Sequence, residues 1–310
     1  MMHTTLHIIS RAMFSSDSDD IVDAVERGVA VYQANVRPSL LDLLRFPRWT
    51  TKIFQFRRAT GAFDDFDHAV DRLIDSRGRQ ANNEPKDLLS RLIAARDADT
   101  GTAMTAREVR DQVVTIFMAG HETTAQALAW TWYLLSLHPA VEGKLHDELN
   151  AVLNGRTPRH EDLANLRYVR MVIEESMRLY PPAHTMAREP IRDDHLLGHR
   201  IPAGALVLIV PWLLHRKQSL WPEPHRFDPE RFAPDRALTR ARFAYIPFGA
   251  GPRICIGAAF AMTEAMLILA TIAQRYRLRL NPDYPVEPQG LRTLRPRYGL
   301  RMFLERRIDR

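Results

Sequence analysis

The sequence predicts a mainly α-helical fold with a minor antiparallel β-sheet. Three observations lead to this class: apolar residues recur at helical spacing through the first half of the chain, β-branched strand-like segments follow only later, and proline-rich turns separate them. The 310 residues, 45% of them hydrophobic, are enough for one large domain or two small ones. Because no linker or internal repeat divides the chain, we expect a single domain over residues 1–310.

Shorter helices are predicted ahead of the longest one. Helical spacing extends from Met1 to Tyr32, and the acidic run Asp17–Asp20 interrupts it. The next segments are expected, in chain order, at Phe46–Phe56 (a polar-aromatic connector), Asp64–Asp75 (helix), Arg77–Glu84 (polar loop) and Asp87–Arg96 (helix).

The longest helix is predicted from Thr105 to about His138, ahead of Pro139. Thr105 and Glu108 have the spacing of a capping box, which marks a helix start. About thirty residues at a rise of ~1.5 Å each give a rod of about 45 Å, long enough to cross a domain. Its most apolar part, Val113–Leu137, carries polar residues near its middle, so a buried helix is favoured over a membrane span.

The second half of the chain is expected to mix helices and strands. A proline starts one helix and an Asn-Gly pair ends it, while a double proline stops the next. The expected elements are helices at Pro139–Asn154 and Asn165–Leu179, a hairpin at Leu196–Val210 that turns at Pro202–Gly204, proline-rich turns at Pro211–Pro247, a helix at Gly257–Gln274, and strands at Tyr276–Leu280 and Gly299–Leu304.

The charge is basic and spread along the chain. There are 43 basic and 37 acidic residues, for a net charge of +6, and only four of the basic residues are lysines. The favoured interpretation is a solvated arginine-rich surface, and the alternative is a basic face that binds an acidic electron donor. No nucleic-acid motif is present. A single cysteine and the lack of a secretory pattern in Met1–Ser10 predict a cytoplasmic protein.

The only cysteine, Cys255, lies in the most informative segment, Phe248–Gly257 (FGAGPRICIG). A lone thiol cannot form an internal disulfide or a multi-cysteine zinc site, but it can supply one axial thiolate to a haem iron. Glycines let the backbone approach a flat ligand, and Arg253 can neutralise a haem carboxylate. A helix that starts at the cysteine would help to hold the thiolate through its dipole. The alternative is a buried cysteine that acts as a small hydrophobe.

A polar stretch in the middle of the longest helix, Ala119–Thr124 (AGHETT), is the second candidate site. Glycine and threonine are locally unfavourable in an apolar helix, which indicates a functional reason for them. Gly120 gives access to a flat ligand or dioxygen, Thr123 can hold an oxygen-bound water, and Glu122 can relay protons. The alternative is a kinked structural helix with a solvated polar patch.

These segments resemble those of the cytochrome P-450 family. The loop has its haem-binding pattern: Phe, two residues, Gly, one residue, Arg, one residue, Cys, one residue, Gly. The stretch Ala119–Thr124 resembles its oxygen-activation motif, with Glu122 and Thr123 as the acid–alcohol pair. Glu175 and Arg178, spaced i and i+3, resemble with Arg231 the family's core ion-pair network, which has a structural role.

The resemblance implies a cofactor and a set of site residues. The cofactor is haem b (iron protoporphyrin IX), and Cys255 is the iron ligand. The implied cofactor-binding residues are Arg188, Phe248, Gly249, Gly251, Arg253, Cys255 and Gly257. The implied substrate-pocket residues are Ala119, Gly120, Ala183, His184, Thr185 and Leu291. His215 lies in a family-like stretch and is not expected to be a ligand.

The implied activity is that of a haem-thiolate monooxygenase. It inserts one oxygen atom from O2 into an organic, lipophilic substrate, with electrons from a separate ferredoxin, flavodoxin or reductase. The alternatives are a catalytically inactive haem-binding remnant, a thiol-dependent hydrolase that uses Cys255 and a histidine, and a peroxide-driven variant.

The same resemblance implies a P-450 fold that lacks its N-terminal strands and first helices. The segment Met1–Ser15 resembles a helix from the interior of the family fold. A Trp-x-x-x-Arg haem contact is missing ahead of Thr105, since Trp49 has Ile53 at the fourth position after it.

Overall fold

The computed structural model describes residues 1–15, 22–23, 68–75 and 87–307. These residues form two compact units, Met1–Glu122 and Thr123–Arg310. The structure confirms the mainly helical class with small antiparallel sheets. The single domain over residues 1–310 stays a prediction. The connector at Phe46–Phe56, the loop at Arg77–Glu84 and the Trp49–Ile53 pair lie outside the described residues.

The first unit is built from helices. Helix α1 spans Met2–Phe14, α2 spans Leu88–Ala94, and residues 68–75 are helical. The first part of the long helix α3, which spans Ala106–Leu137, completes the described portion. The rings of Phe14 and Phe117 stack with centroids 4.4 Å apart. The buried core consists of Leu6, Ile9, Phe14, Val22, Ala69, Val70, Leu73, Leu89, Val109, Val113 and Phe117.

Local capping explains where these helices begin and end. The Thr105 hydroxyl accepts from the Glu108 amide at 3.2 Å, and the Glu108 carboxylate accepts from the Thr105 amide at 2.7 Å. This is the capping box that the sequence predicts for α3. Helix α1 ends at Ser15, whose φ of 46° is left-handed, so the helix predicted from Met1 stops before the acidic run.

The helices of the second unit surround α8, which spans Ala258–Ala273. Helix α4 (Pro139–Leu153), helix α5 (Arg167–Leu179) and a 3-10 turn at His160–Ala164 pack against it. The remaining helical elements of this unit are short. They are α6 at Pro211–Leu214, α7 at Pro234–Leu238, and 3-10 turns at Pro229–Phe232 and Gly251–Arg253.

Small two-stranded antiparallel sheets complete the second unit. The pairs are β1 Met186–Arg188 with β4 Val207–Ile209, β2 Asp194–Leu196 with β3 His199–Ile201, β5 Tyr276–Leu280 with β8 Met302–Arg306, and β6 Pro288–Gly290 with β7 Leu294–Pro296. The strand expected at Gly299–Leu304 therefore lies two to three residues later, whereas Tyr276–Leu280 is placed as predicted.

The hairpin predicted to turn at Pro202–Gly204 is wrong. The turn lies at Leu197-Gly198, where both residues have positive φ, and it joins β2 to β3. The strand after Gly204 pairs instead with β1, which precedes the hairpin, with Ala187 opposite Leu208. A turn signal fixes a local reversal but not the partner of the strand that follows it.

No helix within the described ranges is both long enough and apolar enough to cross a bilayer.

Candidate active site

The loop around Cys255 is closed by its own backbone. The Cys255 amide donates to the Phe248 carbonyl at 2.9 Å, and the Ile254 amide donates to the Gly251 carbonyl at 3.1 Å. Gly249 and Gly251 have φ values of 76° and 70°, a conformation that residues with a Cβ rarely adopt. Gly249 and Gly251 are therefore required by the loop geometry itself, and the loop presents Cys255 exposed.

The backbone conformation, and not a lack of space, is the reason for a glycine at position 249. A Cβ atom built there would lie 3.4 Å from the Met186 sulfur and 3.6 Å from the Arg253 carbonyl oxygen. Met186 belongs to β1, so this strand packs directly against the loop. A Cβ at Gly257 would lie 3.9 Å from Cys255 Sγ.

The helix after the loop begins later than the sequence predicts. Helix α8 starts at Ala258, three residues after Cys255, because Gly257 still has non-helical dihedral angles as its N-cap. The Cys255 carbonyl accepts from the Ala258 amide at 3.4 Å. Cys255 thus precedes the first turn, next to the amide groups that have no partner within the helix.

The donor set of the loop fits a haem. One exposed thiol can supply a single thiolate ligand, and its neighbours Ile254 and Ile256 are 58% and 102% exposed, which leaves apolar surface for a flat macrocycle to cover. Arg188 and Arg253 are also exposed, and neither forms a salt bridge in the described part of the chain. Guanidinium groups pair well with carboxylates such as haem propionates.

A buried ion pair anchors helix α5 behind the loop. The Arg178 Nε and Nη2 atoms lie 2.6 and 2.8 Å from the two oxygens of Glu175, and both side chains are fully buried. The remaining Arg178 protons go to the carbonyls of His215, Pro224 and Arg226. Arg231 Nε lies 3.4 Å from Glu175 Oε1. The structure thus brings together the three residues of the predicted network.

His215 links this network to the cysteine loop, a role that the sequence analysis missed. Its carbonyl accepts from Arg178, and its Nε2 atom accepts from the Ile246 amide at 2.9 Å. Burial, followed by the nearby Arg178 charge, lowers the pKa of His215 to about 4, so the ring is a neutral acceptor. Only the order of the chain segments in space, which a sequence does not show, brings His215 to Ile246.

The polar stretch of α3 is covered by α1 in the first unit. A Cβ atom on Gly120 would collide with the Ile9 side chain, and the Thr5 hydroxyl donates to the His121 carbonyl at 2.9 Å. Ile9 therefore lies where a side chain at position 120 would point, and the role of Gly120 beside a ligand stays a prediction. His121 and Glu122 are buried, with exposures of 1% and 2%. Thr5 and Ile9 gave no signal in the sequence.

The second unit begins with the threonines of the same stretch. Thr123 is half-buried and Thr124 is 3% exposed. Glu122 is the last residue of the first unit and Thr123 is the first residue of the second. The roles of Glu122 and Thr123 stay predictions.

Two of the expected substrate-pocket segments meet in the second unit. The His184 ring packs against Gly290, where a Cβ would stand 2.8 Å from His184 Nε2. The Leu294 amide donates to the Pro182 carbonyl at 2.9 Å, and Trp130 of α3 donates to the Leu294 carbonyl at 3.0 Å. Ala183 and Leu291 are half-buried, whereas Thr185 is exposed. Burial lowers the pKa of His184, so its ring is a neutral polar group.

A cavity of about 600 Å³ lies beside the loop, between α5 and α8. Its lining is mainly apolar and includes Phe248, Ile254, Met262 and Met266. His160 also borders it, but no histidine of the described ranges forms a hydrogen bond with the Cys255 thiol. This arrangement gives no support to a thiol-dependent hydrolase, which needs a base in contact with its nucleophile.

Comparison with known proteins settles the family. The family model described as Cytochrome P450 matches residues 1–300.

The chain belongs to the cytochrome P450 family.

P450 enzymes are haem-thiolate proteins that bind haem b, which agrees with the donor set of the loop. Cyclooctatin synthase of Streptomyces melanosporofaciens is 39% identical over 295 residues, which cover 93% of this chain and 63% of that protein. Cyclooctat-9-en-7-ol 5-monooxygenase of the same organism is 47% identical over 213 residues, which cover 69% of this chain and 46% of that protein.

A solved P450 structure confirms the fold. The crystal structure of the cytochrome P450DA heme domain matches with a TM-score of 0.84 and 28% identity, covering 99% of this chain and 67% of that one. This chain therefore spans less than two thirds of the length of both relatives and about two thirds of the solved P450 chain.

Proposed function

We propose that this chain carries the cofactor-binding and oxygen-handling part of a P450 monooxygenase. The reaction inserts one oxygen atom from O2 into an organic substrate and releases the other as water. The observation that carries the proposal is the exposed Cys255, held in a closed glycine loop. The loop is tied through His215 to a buried arginine–glutamate pair.

The residues of the loop and of β1 would hold the haem. Cys255 would bind the iron as a thiolate, and the amide groups at the start of α8 favour that charge. Arg188 and Arg253 would pair with the propionates, while Phe248 and the glycines shape the loop. When bound, the haem supplies the oxygen-activating redox chemistry, which no side chain can provide. The buried network of Glu175, Arg178 and Arg231 would keep this geometry rigid.

Proton delivery would fall to the polar stretch of α3. Glu122 is buried and can carry a proton, and the hydroxyl of Thr123 can pass one on while it hydrogen-bonds to bound oxygen or water. Positioning by these two residues would decide whether reduced oxygen enters product or leaves as peroxide.

The substrate is proposed to be a lipophilic small molecule. The residues expected to contact it are small, apolar or weakly polar: Ala119, Gly120, Ala183, His184, Thr185 and Leu291. The 47% identical relative is named for the oxidation of cyclooctat-9-en-7-ol, which is an organic alcohol and agrees with this class. Electrons would come from a separate ferredoxin, flavodoxin or reductase.

Two of the alternatives find little support. The named relatives include a monooxygenase, and the acid and alcohol of α3 are both present, so nothing favours an inactive remnant. The hydrolase alternative lacks a histidine in contact with Cys255 within the described chain.

The deciding measurement is the carbon monoxide difference spectrum of the reduced, haem-loaded chain. We expect the strongly red-shifted Soret band of a thiolate-bound haem, and we expect Cys255→Ala to abolish it. Gly143→Ala, a change in α4 far from the loop in sequence, serves as the folding control and should keep the band. An ordinary carbonyl-haem band in the parent chain, or an unchanged band in Cys255→Ala, would contradict the proposal.

Thr123→Ala tests the proton path. The variant should keep the red-shifted band but divert more of the consumed electrons to hydrogen peroxide, with a loss of product formation on the order of 10²-fold, the lower end for a general acid step. Thr131→Ala is the matched control, because Thr131 is a buried threonine of the same helix whose hydroxyl bonds only back to Ala127. Equal peroxide yields in both variants would remove Thr123 from the proton path.

A further inference from the structure

Helix α1 presents two histidines one turn apart on the same side. His3 and His7 are spaced i and i+4, so their side chains are neighbours along the helix surface. Their Nε2 atoms lie 3.0 Å apart, and the ring centroids lie 4.4 Å apart with the ring planes at 75°. His3 is exposed and His7 is half-buried. The two imidazoles therefore bring a pair of ring nitrogens together at a place that solvent reaches.

The buried side of α1 holds the backbone of this pair in place. Thr5, which lies between the two histidines in the chain, donates its hydroxyl proton to the His121 carbonyl of α3 at 2.9 Å. Leu6 and Ile9 belong to the hydrophobic core of the same unit. A pair that is already arranged on an anchored helix loses little conformational freedom when it binds a ligand.

The contact between the two rings has two chemical forms. As a hydrogen bond, one Nε2 atom carries a proton and the other accepts it, and the tautomers decide which one is the donor. When both rings carry their proton on Nδ1 instead, two Nε2 lone pairs point towards one place. Only a cation makes this second form favourable, and neutral imidazole is a common metal ligand.

The distance between the Nε2 atoms selects the coordination geometry. With metal–nitrogen bonds of about 2.0–2.1 Å, two nitrogens 3.0 Å apart subtend an angle of roughly 91–97° at the metal. A tetrahedral site with the same bonds needs nitrogens about 3.3–3.4 Å apart. Angles near a right angle are those of adjacent ligands in a square-planar or tetragonal site, which Cu²⁺ and Ni²⁺ prefer.

We propose that His3 and His7 form a binding site for Cu²⁺ on the surface of α1. Each Nε2 atom donates a lone pair to the metal, two water molecules leave the metal, and the proton of the ring–ring hydrogen bond moves to Nδ1 through solvent. Water completes the coordination, because no third His, Cys, Asp or Glu joins the pair among the residues that the structure describes. The inference does not depend on the proposed monooxygenase function.

Charge and ligand type set the selectivity of this site. Arg11 lies one turn after His7 on α1, and its positive charge opposes every cation. Mg²⁺ and Ca²⁺ prefer oxygen ligands and gain little from imidazole, so they do not overcome this repulsion. Among the divalent metals of the first transition row, Cu²⁺ binds nitrogen ligands most strongly. We therefore expect binding of Cu²⁺, weaker binding of Ni²⁺ and none of Mg²⁺ or Ca²⁺.

Titration calorimetry and electron paramagnetic resonance with Cu²⁺ test the site in the haem-loaded chain. The sequence has 12 histidines, so the double variant His3→Gln/His7→Gln supplies the background of other copper sites. The matched control is Thr4→His/His7→Gln, which keeps the number of histidines on α1 but places two of them next to each other, where the rings do not face one another. We expect wild type to bind one more Cu²⁺ than the background variant, with the splitting of two imidazole nitrogens.

The matched control should bind this copper on the order of tenfold more weakly, or worse, and lose the two-nitrogen pattern. The inference is overturned if wild type binds no more copper than the background variant, if the matched control binds as tightly as wild type, or if the additional copper shows one nitrogen only. Neither readout uses haem spectra or turnover, so a failure of the proposed function leaves the result of this test unchanged.

Hydrogen exchange tests whether the metal sits on α1. Opening of α1 separates the two histidines and releases the metal, so Ni²⁺, which does not oxidise thiols, should slow amide exchange in residues 2–14. At a free Ni²⁺ concentration of 100 times its Kd, the slowing should reach up to about 100-fold in wild type. It should be absent in Thr4→His/His7→Gln. Equal slowing in both proteins, or none in wild type at saturating Ni²⁺, would place the metal elsewhere.

Discussion

At the scale of single residues, one glycine can serve two purposes, the packing of helices and access for a ligand. Gly120 is expected to give access to a ligand, which stays a prediction, and in the structure it also makes room for the Ile9 side chain. The sequence could predict that a side chain is excluded at Gly120, since glycine is unfavourable in a helix interior. It could not predict what takes the place of the side chain, because Ile9 and Gly120 are brought together only by the packing of α1 on α3.

This contact gives a stability prediction. Gly120→Ala should destabilise the protein by about 1–3 kcal/mol, because overpacking outweighs the gain in helix propensity of ~1 kcal/mol. Ile9→Val removes the methyl group that would collide, so the double variant should recover most of the loss. The measurement is urea unfolding of the two single variants and the double variant.

A second glycine supplies the control for that cycle. Gly143 lies inside α4 with no atom within 4 Å of a built Cβ, so Gly143→Ala should stabilise by up to about 1 kcal/mol. If Gly120→Ala is as stabilising as Gly143→Ala, or if Ile9→Val fails to rescue it, the packing of α1 against Gly120 is not as described.

At the scale of elements, the ends of helices could be predicted from the sequence, but which strands pair with each other could not. Helices α3 and α4 begin and end where expected, because their end signals depend only on neighbouring residues. These signals are the capping box of Thr105 and Glu108, the proline at the start of α4 and the left-handed Asn154 at its end. The loop of Cys255 was also predictable in part, since Gly249 and Gly251 have the positive φ values that its backbone needs.

The errors arose where distant segments meet. The pairing of β1 with β4 skips over the β2–β3 hairpin, so the turn at Gly204 joins two strands that do not pair with each other. The contact from His215 to Ile246 has the same cause. A periodic pattern of apolar residues predicts which face of a helix or strand is buried, but it does not predict which other element covers that face.

In the candidate site, too, some residues could be predicted from the sequence and others could not. The three residues of the ion-pair network were predictable from two short motifs, and the structure brings them together. Glu264 was overlooked because a lone acid in an apolar helix has the same sequence signature as an exposed one. Only its burial in the folded protein distinguishes it.

At the scale of the whole molecule, buried titratable groups with opposite effects set the pH dependence of stability. Burial lowers the pKa of His146 and of His215 to about 4 each, with nearby arginines adding to the effect, whereas burial raises the pKa of Glu264 to about 7. Below pH 6.5 the histidines of the unfolded chain take up protons that those of the folded protein do not. The free energy of unfolding therefore decreases as pH falls from 6.5 towards 4. Glu264 keeps its proton in the folded protein over a pH range in which it is ionised in the unfolded chain. The free energy of unfolding therefore decreases as pH rises from about 4.5 to 7.

These signs predict opposite behaviour for two variants. Each shift of about 2.5 units corresponds to about 3 kcal/mol. Relative to wild type, Glu264→Gln should gain free energy of unfolding as pH rises from 4.5 to 7, because it removes the penalty of ionising a buried acid. His146→Gln should gain free energy of unfolding as pH falls from 6.5 to 4, because it removes the penalty of protonating a buried base. Urea unfolding at half-unit pH steps measures both differences; parallel curves for either variant would show that the group is solvated in the folded protein.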